Sequence, residues 1–224
     1  MNVMGVDGTP KGWATVIYKN GQMRVRRIAR LAEIFEHPPY PDVVAVDVPI
    51  GLLDAYEIGG RECDRKARSD LGPRGSSVFV PPVRAVLSAR SFPEACAVSR
   101  ASSKHKKALS KQTWGIVPKI KEVDDLLAEN PHLRPIVREV HPEVCFRELV
   151  REPMKYAKGK SEGRSDRRAA LASDFDVDEI VREGKSEKLH IEDVLDALAA
   201  CWSAKRLAKN EGRRLVEDEK TIWV

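Results

Sequence analysis

A chain of 224 residues with 42% hydrophobic content can bury a sizeable core, and its 33% charged content excludes an integral membrane protein. No apolar run approaches the roughly 18 residues that span a bilayer, and Met1-Asn2-Val3-Met4 lacks the basic-then-apolar pattern of a secretory signal, so a cytoplasmic location is expected. The net charge of +5 is uneven: residues 60–121 carry 14 Lys or Arg against 4 acids, or +10, which leaves −5 for the rest.

The chain opens as a β-meander. Asn2 to Asp7 reads as a short apolar strand, Gly8 to Lys11 as a turn, and Trp13 to Tyr18 as a second strand rich in β-branched and aromatic residues. Asn20-Gly21 is the strongest short hairpin signal, and Gln22 to Ile28 alternates as an antiparallel third strand would. Leu31, Ile34 and Phe35 share one face of a short helix that Pro38-Pro39-Tyr40-Pro41 ends. Val43 to Val48 is almost continuously apolar, which predicts a buried central strand with neighbours on both sides. An excursion follows at about 57–130, basic and helical, with helices expected near 57–71, 92–110 and 116–129. Pro135 to Val140 predicts another strand, Pro142 to Val150 a helix, and 151–168 a polar, mobile stretch. Helices near 176–183 and from Ile191 to Lys209 complete the chain. Three strands, a helix and a buried strand open the ribonuclease H-like order. The expected architecture is therefore one α/β domain over 1–224, with a mixed sheet flanked by helices and the helical insertion at 57–130.

Several acids stand where burial is costly. Asp7 ends the first strand in Gly5-Val6-Asp7-Gly8, and Asp47 ends the buried strand in Val46-Asp47-Val48-Pro49. Desolvating an unpaired carboxylate costs several kcal/mol. Two such strands side by side would bring like charges together, and a divalent cation is the simplest cure. The competing account is a pair of hydrogen-bonded acids holding a turn. Glu139 ends a third predicted strand, and Glu143 after Pro142 suits a helix N-terminus. Asp193 and Asp196 lie three apart on one helix face that the small residues Ala197 and Ala200 continue, so that face can lie close to a sheet. Asp193 is also explained by the positive end of its helix, Asp196 less well. Carboxylates from strand ends and one helix suit Mg²⁺ or Mn²⁺. Cys63, Cys96, Cys145 and Cys201 form no C-x-x-C pair, so a thiolate zinc site is not expected.

The blocks GVDGTPKGW (5–13), VDVPIG (46–51), RECDRKAR (61–68), LGPRGSSVFVPPVRAVL (71–87), SKQTWGIVPKIKEVD (110–124), EVHPEVCF (139–146), GRSDRR (163–168) and EDVLDAL (192–198) together resemble the domain of unknown function 429 family. That family is described as predicted ribonuclease H-like nucleases related to Holliday-junction resolvases. The resemblance spans Gly5 to about Ala208. It implies the ribonuclease H-like fold, and Asp7, Asp47, Glu139 and Asp196 as an acidic catalytic site.

Other residues offer places for a phosphate. Arg74, Ser76 and Ser77 sit in a rigid basic turn with Arg84 close in sequence, where packing by Phe79 and Val80 is the competing account. Lys111, Gln112 and Trp114 combine a cation, an amide and a ring, although such a Trp is more often core. Lys119 and Lys121 face either phosphate or solvent, and the run Lys104 to Lys107 either touches a nucleic-acid backbone or is merely solvated. His141 beside Pro142 is either a proton-transfer group or structural. The expected function is metal-dependent phosphodiester hydrolysis on nucleic acid or another phosphoester polyanion. Two alternatives stay open. One is a phosphotransferase of the actin-like and sugar-kinase superfold, whose first phosphate loop Gly5-Val6-Asp7-Gly8-Thr9 resembles. The other is a binding module with purely structural acids. The oligomeric state is also open, a homo-oligomer included.

Overall fold

The Asn20-Gly21 turn takes the left-handed backbone that its residue types favour, with φ of 49° and 88°. In the computed structural model, which describes residues 1–102 and 105–224, this turn joins β2 (Gly12–Lys19) to β3 (Gln22–Ile28). With β1 (Asn2–Thr9) they form the expected antiparallel meander. β4 (Val43–Val46) pairs parallel to β1, and β5 (Val137–Glu139) pairs parallel to β4. The sheet is mixed and five-stranded, in the order β3-β2-β1-β4-β5.

Seven α-helices flank it among the described residues: α1 (Glu62–Leu71), α2 (Phe92–Ala101), α3 (Lys111–Glu129), α4 (Pro142–Val150), α5 (Ser161–Leu171), α6 (Val177–Ser186) and α7 (Ile191–Ala208). None is long and apolar enough to cross a membrane. Several boundaries differ from the sequence expectation. α1 starts at Glu62 rather than 57, because Gly59 and Gly60 adopt left-handed φ of 81° and 79° and no helix passes through such residues. α2 stops at Ala101 rather than 110. α3 starts at Lys111 rather than 116, where the Ser110 Oγ accepts from the Thr113 amide at 3.0 Å, and it continues through Pro118. Lys104 of the basic run lies outside the described residues. The stretch 151–168, expected to be mobile, contains most of α5. Buried Arg167 anchors it by donating to the Tyr156 carbonyl at 3.0 Å and to Glu143.

Strand alternation sorts the interior into two cores. Val3, Val43 and Ala45 face α7, while Val6, Val44 and Val46 face α3. α7 lies hard against the sheet. A Cβ at Gly5 would sit 2.0 Å from the Ala197 carbonyl oxygen and 2.1 Å from the Cys201 amide nitrogen, so only glycine permits this approach. Both sheet edges are covered. On β3 the Val25 and Arg27 amides donate to Glu183 and Glu187 of α6 at 2.9 and 3.2 Å, and beside β5 the Trp223 amide donates to the Glu139 carbonyl at 2.8 Å. All four cysteines are buried and free, and burial pushes the thiols of Cys63, Cys145 and Cys201 up to about 12.

Candidate functional site

Parallel pairing of β1 with β4 ends at Val6 and Val46, and the next residues are Asp7 and Asp47. The Asp47 amide still donates to the Val6 carbonyl at 2.9 Å, so the two acids leave the sheet side by side. Alternation from Gly5 turns Asp7 toward α7. There Asp196, 2% exposed in the middle of an otherwise apolar helix face, joins them, with Asp193 one turn earlier. The close packing that Gly5, Ala197 and Ala200 allow is therefore what brings helix carboxyls to strand carboxyls.

The electrostatics are those of crowded, desolvated acids. Burial, followed by the charges of Asp196 and Asp47, holds the Asp7 carboxyl well above the usual carboxylate range. Burial also raises Asp47, against the pull of His141, and Asp7 hydrogen-bonds to it. Asp196 and Asp193 are raised too, again mainly by burial. One cation answers them directly: the half-exposed Lys158 ammonium donates to Asp196. Burial works against that ammonium, but Asp196 and Asp7 outweigh it and hold it above its ordinary value. Lys158 thus offsets one charge of four. Among the described residues, no three His, Cys, Asp or Glu side chains form a ready-made metal cage.

These acids open into a cleft of about 670 Å³ that Arg74, Ser77, Gln112 and Lys119 also line. The fold therefore gathers Asp7, Asp47, Asp193, Asp196 and these four phosphate candidates in one place. It does not bring in Glu139. Glu139 pairs in register with Val46, whose side chain faces the α3 core, so it points away from Asp7 and Asp47. Its oxygens accept from Arg61 at 2.6 and 2.7 Å and from the Ile50 amide at 2.6 Å. Burial raises the Glu139 carboxyl against the pull of Arg61, and Glu139 in turn helps hold the Arg61 guanidinium above its ordinary value. Ser76 and Lys111 are exposed outside the cleft, Arg84 pairs with Asp124, and Trp114 packs on Phe92 with centroids 6.4 Å apart. Lys121 pairs with Asp125 at 2.6 Å on the helix surface.

Sequence reasoning passed over Lys158 and Thr9, and gave Glu143 only a helix-terminus role. Lys158 stands in a polar stretch with no pattern to mark it. Glu143 lines the cleft between Arg74 (3.2 Å) and Arg167, and among the described residues its Oε2 has no partner. Thr9 Oγ1, Arg74 Nε and His141 Nδ1, also at the cleft, are buried without partners as well. A buried polar atom left unpaired costs about 1–3 kcal/mol, and four such atoms among the described residues gather around this one cleft. The only sequence signal was His141-Pro142-Glu143, where a charged residue follows a proline at a strand exit.

A mixed α/β sheet with acids collected at the ends of two adjacent parallel strands defines the class of this protein. Within that class, the chain belongs to the family described as Protein of unknown function (DUF429), which matches residues 5–221. No curated protein and no solved structure shows significant similarity to it.

Proposed function

We propose that this chain is a metal-dependent nuclease of the ribonuclease H-like type that hydrolyses phosphodiester bonds. One observation carries the reading: Asp7, Asp47 and Asp196, from three separate elements, are forced together with insufficient counter-charge at the floor of a cleft that cations line. The donor chemistry suits Mg²⁺ or Mn²⁺, because every candidate ligand is a carboxylate oxygen and the charges of Asp196 and Asp47 raise the cost of ionising Asp7. Asp7, Asp47 and Asp196 would hold the ion, with Asp193 close by. Once bound, it supplies Lewis-acid polarisation of a phosphoryl oxygen and a water of lowered pKa.

The chain's own residues account for the rest. Lys119 lies 4.3 Å over the Trp13 ring, and burial lowers its ammonium below the ordinary lysine value. The ring and the Glu122 carboxylate 3.7 Å away position it in the cleft as a cation for a substrate phosphate, together with Arg74. His141 sits beside Asp47 with Nδ1 unpaired, placed to exchange a proton with a leaving oxygen. Glu139 has no chemical part in this scheme. It fixes the Ile50 segment and α1 through Arg61.

Calorimetric titration with Mn²⁺ tests the site, and single-stranded, duplex and branched DNA and RNA test the activity. Wild-type protein should bind the ion and cut at least one substrate, and Asp47→Asn should do neither. Activity that survives Asp7→Asn would place the chemistry elsewhere. ATP binding without strand cleavage would indicate a phosphotransferase instead.

A further inference from the structure

Beside the carboxylate cleft lies a smaller groove of about 230 Å³ that shares Thr9, Pro10 and Asp193 with it. Its walls carry Lys11 from the β1–β2 turn, Arg27 from β3, and Lys188 and His190 from the link between α6 and α7. Lys188 holds a left-handed φ of 59°, a conformation that costs a long side chain energy and sets its direction. Among the described residues, the side chains of Lys11, Arg27 and Lys188 have no ion-pair or hydrogen-bond partner. Three like charges facing one groove repel one another, with the Asp193 carboxylate on the wall it shares with the cleft.

A second, independent feature points to a ligand there. Thr9 is 7% exposed, and its Oγ1 is fully buried without a partner at the junction of groove and cleft. The first turn of α7 begins beside it, and His190 gives that turn no side-chain cap. Cations and an unpaired hydroxyl beside an uncapped helix N-terminus suit one tetrahedral anion.

We propose that this groove is a phosphate subsite, holding a backbone phosphate of a nucleic-acid strand next to the phosphodiester at Asp7 and Asp47. The proposal rests on the nuclease reading of the carboxylate cleft and extends it: groove and cleft adjoin at Thr9, Pro10 and Asp193, so one polymer can occupy both. A ligand with a single phosphate would fill only one of them.

Fluorescence anisotropy with short labelled single-stranded DNA and RNA tests this, using full-length protein carrying Asp47→Asn so that the strand stays intact. Adding Lys11→Gln and Lys188→Gln, both at exposed positions, should weaken binding roughly tenfold. It should also flatten the dependence of log Kd on log salt by about 1 for each phosphate that the protein no longer neutralises. The charge-matched pair Lys66→Gln and Lys121→Gln, outside the groove, should change neither. Thr9→Val should melt no lower than its parent yet bind the strand more weakly, which separates a ligand-binding hydroxyl from a structural one. Whichever oligonucleotide binds more tightly names the sugar. Unchanged affinity and slope in the Lys11/Lys188 variant, or equal weakening in both paired variants, would overturn the subsite and leave the nuclease reading standing. A parent protein that binds neither oligonucleotide would overturn the subsite, and wild-type protein that also cuts no duplex or branched substrate would overturn the nuclease reading with it.

Discussion

Asp7 and Asp47 are each unfavourable alone and worse together, and that gives the site its experimental handle. Their folded-state pKa values, with that of Asp196, are raised, so the native protein retains protons that the unfolded chain has already released. With a chelator present, stability should therefore fall as the pH rises from about 4 toward neutrality. Asp47→Asn should flatten that slope and raise the metal-free melting temperature at pH 7, while abolishing the further rise that Mn²⁺ gives wild type. Melting curves across pH, with and without the ion, check both halves. Lys158→Met should act in the opposite sense on stability: the metal-free protein melts lower because Asp196 loses its partner, whereas Mn²⁺ binds more tightly because no ammonium competes for that oxygen. Glu139→Gln should cost about 2 kcal/mol, since it removes one of the two carboxylates paired with the buried Arg61 guanidinium while Asp64 keeps its own contact, yet leave the Mn²⁺ affinity of the folded fraction unchanged. Chemical denaturation paired with calorimetry separates these outcomes.

At the scale of elements, legibility followed how directly a residue pattern reports its surroundings. The meander was readable because Asn-Gly and period-2 alternation are local signals, and α7 was readable because an acid among Ala residues needs both a close sheet and a partner. Glu139 was misplaced for a reason no single strand contains. Whether an acid at a strand end faces one core or the other depends on a one-residue offset between β4 and β5, and that register is tertiary. α5 was missed because the side chain that buries it deepest is an arginine, Arg167, which reads in sequence as solvent-facing. Glycine at position 5 binds these levels together. Gly5→Ala should cost about 3 kcal/mol or more by forcing backbone against backbone, and should weaken Mn²⁺ binding by moving α7, and with it Asp196, away from Asp7. A thermal melt and an ion titration on the same sample would show both losses.

For the molecule as a whole, charge is divided by place: acids converge at the ends of the parallel strands while unpaired cations line the neighbouring groove. That arrangement accounts for a basic protein with an anionic centre, and it makes ionic strength as informative as pH. The carboxylates of Glu183 and Glu187 on α6 have a separate consequence. By holding the outward amides of β3, they deny a second chain the free ladder on which a new strand could grow. Replacing both with alanine removes no core residue and leaves the cleft intact, yet it converts a closed border into a template. The expected result is concentration-dependent self-association, seen as rising light scattering, by a protein whose fold is otherwise unchanged.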